Sequence, residues 1–80
     1  MNPLGQLRAS LGVSQSELAR RLRRPQIEVN KLELTPLGEL KLAAVEEYVR
    51  ALGGRLDLVV VVDGLSHWIS DSEGNGEWLR

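Results

Sequence analysis

The side chains able to do chemistry in these 80 residues are cations and amides rather than nucleophiles. Arg20, Arg21, Arg23 and Arg24 put four guanidinium groups into five positions, a density that suits a polyanion such as a nucleic-acid backbone. A solvated helix face is the bland reading of the same run, and charge alone does not separate the two. Cysteine is missing, which excludes disulfides, zinc fingers and thiol catalysis. His67 is the only histidine. It could be drawn into a triad with a serine and Asp57, Asp63 or Asp71, but no nucleophile elbow, phosphate loop or carboxylate pair accompanies it. The segment Asp71-Ser72-Glu73-Gly74-Asn75-Gly76 copies the first half of a calcium loop, yet Arg80 is reached before the position of the bidentate glutamate. It reads as a polar turn. The expectation is a protein that is not an enzyme and needs no cofactor or metal.

The formal net charge of −1 hides an asymmetry. Residues 1–34 carry six basic groups against three acidic ones, a net of +3, while residues 35–80 carry four against eight, a net of −4. A basic front half points to a polyanion, and an acidic back half argues against indiscriminate nucleic-acid binding. The longest apolar run, Leu58 to Val62, falls far short of the roughly 20 residues of a membrane span. Met1 to Gln6 lacks the pattern of a signal peptide. A cytoplasmic protein without a membrane partner is expected.

The elements that must position these groups are legible from periodicity. Leu4, Leu7 and Leu11 recur at helical spacing, and Gly12 stands where a helix-ending glycine belongs. Ser14 and Glu17 have the spacing of a capping box, followed by an inward stripe of Leu18, Ala19 and Leu22. Pro25 ends that helix and opens another over Gln26 to Leu34, with Val29 and Leu32 inward. Two short helices so joined have the outline of a helix-turn-helix. After a loop at Thr35-Pro36-Leu37-Gly38, a longer helix of about Leu40 to Leu52 should bury Leu42, Val45, Val49 and Leu52 before Gly53-Gly54 stops it. The period then changes to two. Leu56, Leu58, Val60 and Val62 alternate with Asp57, Val59, Val61 and Asp63, a strand whose middle is apolar on both faces. So short a chain cannot cover both faces and both edges of that strand, which predicts pairing with the same strand of a second copy through Leu56, Leu58, Val59, Val60, Val61 and Val62. Asp63-Gly64 could turn a hairpin into a second short strand, His67-Trp68-Ile69, while Asn75-Gly76 and Trp78-Leu79 form a less legible tail.

At this point the sequence resembles a family. Ser14-Gln15-Ser16-Glu17-Leu18-Ala19 and Val29-Asn30-Lys31-Leu32-Glu33 are similar to the two motifs of Xre/Cro-type helix-turn-helix proteins. Tyr48 to Val60, a helix ending in Gly-Gly that runs into a hydrophobic strand, is similar to single-domain HigA-like antitoxins paired with RelE-like toxins. The resemblance covers about residues 7–62. It implies a mainly α fold, a small four- to five-helix lambda-repressor-like domain over residues 1–54. A C-terminal strand or hairpin over residues 55–80 would pair across a homodimer. It implies a repressor that binds a two-fold double-stranded DNA operator and neutralises a RelE/HigB-like toxin. A free-standing phage or plasmid repressor, and an interaction module that has lost DNA binding, are the competing readings.

Carried onto this sequence, the resemblance makes α-helix Gln26 to Leu34 the recognition helix. Gln26 is then placed to pair with adenine, Ile27 to touch a thymine methyl, and Lys31 to reach a guanine or a phosphate, with Asn30 on the same helix. Glu28 either accepts from a cytosine amino group or repels the backbone. Ser14 and Gln15 would hold a phosphate at a helix N-terminus, while Arg21, Arg23 and Arg24, with Arg20, supply the salt-dependent affinity. One departure stands out. Where the family has a glycine, an aliphatic residue and Ser/Thr, this chain has Arg23, Arg24 and Pro25. Either Arg23 accepts a conformation that glycine adopts more cheaply, or the first helix runs on to Pro25.

Overall fold

The computed structural model describes residues 1–70. Four α-helices, α1 (Pro3–Ser10), α2 (Gln15–Leu22), α3 (Gln26–Leu34) and α4 (Leu42–Ala51), precede two strands, β1 (Asp57–Val62) and β2 (Leu65–Ser70). A 3-10 turn, Leu37–Glu39, begins in the loop expected after α3 and extends one residue beyond it. The calcium-loop look-alike and the tail signals at Asn75-Gly76 and Trp78-Leu79 lie outside the described residues. Among the described residues no helix is long and apolar enough to cross a membrane.

Leu4, Leu18, Ala19, Val29 and Tyr48 form the buried core, and Val13, Leu22, Leu32, Leu40, Val45, Val49, Ala51 and Leu52 pack around it. The stripe Leu18-Ala19-Leu22 and the pair Val29-Leu32 face inward as their spacing requires. Two other stripes do so only in part: Leu4 of the α1 stripe is buried, and Val45, Val49 and Leu52 of the α4 stripe pack on the core. α1 turns Leu4 and Arg8 inward, at i and i+4, so Leu7 and Leu11 remain 42% and 55% exposed. In α4 the centre of the inward face is the fully buried Tyr48, and Leu42, at the first helical position, is 42% exposed. α4 also begins two residues later than its periodicity suggests, because Lys41 is its extended N-cap.

One side chain serves two helix ends. Asn2 is the N-cap of α1, and its Oδ1 accepts the backbone N–H of Leu4 at 3.0 Å and of Gly5 at 3.2 Å. Its Nδ2 donates to the carbonyls of Leu32 at 2.9 Å and Thr35 at 2.8 Å, and its backbone N–H donates to that of Glu33 at 2.8 Å. The orphan donors opening α1 and orphan acceptors closing α3 are thus satisfied by a single residue.

The two strands form an antiparallel hairpin, with Leu58 opposite Ile69, Val59 opposite Trp68, Val60 opposite His67 and Val62 opposite Leu65. Asp63 and Gly64 take φ of 52° and 79°, the paired positive values of a two-residue mirror-image turn. The second strand foreshadowed at His67-Trp68-Ile69 is therefore present and longer. Both hairpin faces are apolar: Leu58, Val60, Val62, Leu65 and Ile69 share one, and Val59, Val61 and Trp68 the other. Leu56 and Leu58 are half-buried, whereas Val59 to Val62 are all exposed, with Val61 at 64% and Trp68 at 74%. In a two-residue hairpin the ladder uses Leu58, Val60 and Val62, leaving the N–H and C=O groups of Asp57, Val59 and Val61 on the outer edge of β1.

Candidate nucleic-acid interface

The turn between α2 and α3 decides whether the motif keeps its geometry. Ser14 caps α2, its Oγ accepting the Glu17 N–H at 3.0 Å. The reciprocal half of the capping box is replaced: the Glu17 carboxylate turns to Arg20 and Arg21 instead. α2 ends at Leu22, and Arg23 takes the left-handed conformation at φ 57°, ψ 43° that a glycine would adopt more cheaply. The N–H groups of Arg23 and Arg24 close the helix on the carbonyls of Arg20 and Ala19. Pro25, extended at ψ 145°, then opens α3. The first helix does not run on, and the turn is kept without its glycine.

α3 consequently presents one face outward. Val29 and Glu33 are buried and Leu32 packs on the core, while Gln26, Ile27, Glu28, Asn30 and Lys31 are exposed, Ile27 to 73%. Gln26 and Asn30, and Ile27 and Lys31, are spaced i and i+4, so the four lie together on the outer face.

The arginine cluster is less uniform than its sequence. Arg20 holds Glu17 at 2.6 Å and Arg21 holds the same carboxylate at 3.1 Å. These hydrogen bonds keep the Glu17 carboxyl below its ordinary range. Arg21 also donates to the Ala51 carbonyl at 3.0 Å, tying α2 to the end of α4. Arg24 lies between Glu28 at 3.4 Å and Glu47 at 3.3 Å. Glu28, the awkward acid on the outer face, thereby has a cation beside it. Among the described residues, Arg23 and Lys31 are the cations of the motif without an ion pair. The pairs of Arg20, Arg21 and Arg24 are solvent-exposed and screened, too weak to withhold these groups from a phosphate.

Beneath the outer face lies a polar network for which apolar periodicity has no place. Arg8 grips Glu33 from two sides, Nε to Oε2 at 2.6 Å and Nη2 to Oε1 at 3.0 Å, and its Nη1 donates to the Val13 carbonyl at 2.7 Å. The Tyr48 hydroxyl lies 2.6 Å from Glu33 Oε2 and 3.1 Å from the Leu4 carbonyl. Gln15 Nε2 donates to Glu33 Oε1 at 3.0 Å and to Asn30 Oδ1 at 3.1 Å. One carboxylate from α3 thus joins side chains of α1, α2 and α4. Burial pushes the Glu33 carboxyl up, but the donors from Arg8, Tyr48 and Gln15 outweigh it and hold it below its ordinary value. Burial, with the Glu33 carboxylate adding to it, holds the Tyr48 hydroxyl well above its own. The candidate Gln15 is therefore drawn partly inward. Its neighbours Arg8, Glu33 and Tyr48 were not legible as a site; the one available signal was the glutamate closing the second helix-turn-helix motif.

No protein-family model and no curated protein matches the chain. Among solved structures it is similar to a HigA antitoxin whose unique dimerization induces DNA bending, at 31% identity over 82% of this chain and 88% of that one, with a TM-score of 0.76. It is also similar to the DNA-bound antitoxin HigA3, at 30% identity over 88% of this chain and 91% of that one, again with a TM-score of 0.76. With a similar fold, an intact turn at Arg23 and 30–31% identity over most of both chains, this chain belongs to the HigA antitoxin family.

Proposed function

We propose that this chain is a DNA-binding antitoxin that represses its own operon as a homodimer and neutralises a RelE/HigB-like toxin. The observation that carries the reading is the outer face of α3, where Gln26, Ile27, Asn30 and Lys31 are exposed together on a helix anchored from beneath by Glu33. A helix so presented fits a major groove, and its amides and cation suit base edges and phosphates. Ser14 and the backbone N–H of Gln15 at the start of α2 suit a flanking phosphate, the Gln15 side-chain protons being taken by Glu33 and Asn30, and Arg23, Arg21 and Arg24 supply sequence-independent affinity. The similar proteins support the same reading, one being bound to DNA and the other bending it through dimerization.

For the dimer, the support is the hairpin over residues 57–70. Val59 to Val62 are exposed and the outer edge of β1 is open, so a second copy related by a two-fold axis would satisfy the edge and cover the valines. Residues 1–54 then carry the DNA face and the chain from residue 55 onward the assembly. Toxin neutralisation rests on the family alone.

Fluorescence anisotropy with the DNA upstream of the gene, against scrambled DNA at two salt concentrations, tests the proposal. Saturable binding about a hundredfold tighter to the upstream DNA is the expected result. Equal, weak binding that salt abolishes would reduce the arginines to a solvated face. Co-purification with the product of a neighbouring small basic reading frame tests the toxin.

A further inference from the structure

The hydrogen bonds that run from the core to the outer face of α3 have a direction. Glu33 is held as a carboxylate by the two-point grip of Arg8, at 2.6 and 3.0 Å, so it can only accept. The Gln15 atom 3.0 Å from Glu33 Oε1 must therefore be its amide nitrogen, because an amide oxygen would meet the carboxylate lone pair to lone pair. That nitrogen has a second proton, and it points at Asn30, 3.1 Å away. The Asn30 atom facing it must then be Oδ1. Each amide in the chain is oriented by the one beneath it, and the orientation of the last is set in the core. Asn30 ends up with Oδ1 turned toward Gln15 and α2, and Nδ2 lies on the opposite side of the amide of this exposed residue with both its protons to offer.

We propose that the relay Arg8–Glu33–Gln15–Asn30 fixes Asn30 as a donor-only reading group that selects guanine in the major groove. An unconstrained asparagine favours adenine, because its nitrogen and oxygen turned outward together match the acceptor N7 and donor N6 of that base. Here one lone pair of the oxygen accepts from Gln15, which turns that atom toward α2 so that nitrogen and oxygen are not offered to a base side by side. Guanine presents two adjacent acceptors, N7 and O6, and no donor on its major-groove edge, which suits an amide nitrogen offered alone. Gln15 is thus a positioning residue acting through Asn30, and Glu33 and Arg8 act through Gln15. The inference rests on the DNA-binding reading above and adds the identity of one base to it.

The test is selection of binding sites from a pool of random duplexes by the full chain, repeated with Asn30→Ala and Gln15→Met. Melting curves verify that each variant is folded. The expected wild-type site holds a guanine in each half whose preference falls roughly tenfold in Asn30→Ala. Gln15→Met, which frees the asparagine to turn over, should admit adenine at that same position while leaving the other positions unchanged. An adenine at the position that answers to Asn30, or a loss spread evenly over all sequences as from a phosphate contact, overturns the proposal. Should Gln15→Met fail to fold, 7-deazaguanine at the selected guanine carries the test on the wild-type chain. A loss of about tenfold is expected from removing N7, and unchanged affinity overturns the assignment. A wild-type chain that enriches no sequence at all would overturn the DNA-binding reading itself. A defined site indifferent to Asn30 would overturn only the relay.

Discussion

The helical body and the hairpin place their polar and apolar groups in opposite ways. The body buries an arginine, a glutamate and a tyrosine at its centre, each satisfied by the others. The hairpin leaves four consecutive valines and a tryptophan exposed. Each arrangement would be costly in the other's place. A buried ion pair lends geometric definition when its hydrogen bonds are complete, which suits a body that must hold α3 at a fixed angle. An exposed apolar hairpin with a free edge lends affinity for another such hairpin. Charge inside gives orientation, and apolar surface outside gives assembly.

The largest effect expected from breaking this contrast is in the body. Glu33→Ala leaves Arg8 buried without its partner and should cost about 3–5 kcal/mol, most of the stability of so small a domain, as read by urea unfolding. The same network sets the pH dependence. The carboxyl of Glu33 is lowered on folding from an ordinary 4.5, so its contribution is complete above that value and is lost as pH falls through the folded value. The hydroxyl of Tyr48 is raised on folding from an ordinary 10.0, so its contribution is complete below that value and is lost as pH rises through the folded one. Stability should therefore hold between the two limits and fall outside them. Glu33→Gln should shrink the acid limb, and a persistent limb would place its origin in other carboxylates.

In the hairpin, Val60→Asp should weaken self-association by about a hundredfold, since a carboxylate would have to be buried or the contact abandoned. Light scattering would then give the monomer mass while helical circular dichroism stays unchanged. An unchanged mass would remove the hairpin from the contact. A smaller loss, about 1–2 kcal/mol, is expected for Asn2→Ala, which uncaps α1 and the end of α3 together. Smallest, and of opposite sign, is Arg23→Gly. Relief of the left-handed conformation should stabilise the domain by about 1 kcal/mol, seen as a raised Tm, while affinity for all DNA sequences falls alike.

Much of this architecture is legible in the residue pattern. Gln26 to Leu34 could be bounded on both sides because Pro25 and Thr35-Pro36 punctuate it, and Asp63-Gly64 named the hairpin turn because few dipeptides accept two positive φ values. The buried network was not legible. Periodicity assigns charged residues to the outside, and Arg8 and Glu33 are 25 positions apart, so neither announces the other. For the same reason Leu7 and Leu11 were expected inside: the face of a short helix is set by what it meets, and Arg8 on that face draws the helix round toward Glu33. Of the candidate DNA-facing residues of α3, Gln26, Ile27, Asn30 and Lys31 share one surface, while Glu28 lies beside Arg24. The arginines looked equivalent on a charge count, but only three-dimensional neighbours distinguish Arg23 from Arg21 and Arg24.

The double service of Asn2 also bears on how the molecule opens. Backbone amides at the first few positions of a domain ordinarily exchange with solvent almost freely, because the terminus frays on its own. Here the amide proton of Asn2 sits on the Glu33 carbonyl, and those of Leu4 and Gly5 sit on the Asn2 side chain. None of the three is released until the last turn of α3 lets go of Asn2. Hydrogen–deuterium exchange should therefore find them protected in step with the end of the recognition helix, one cooperative unit made of segments 30 residues apart.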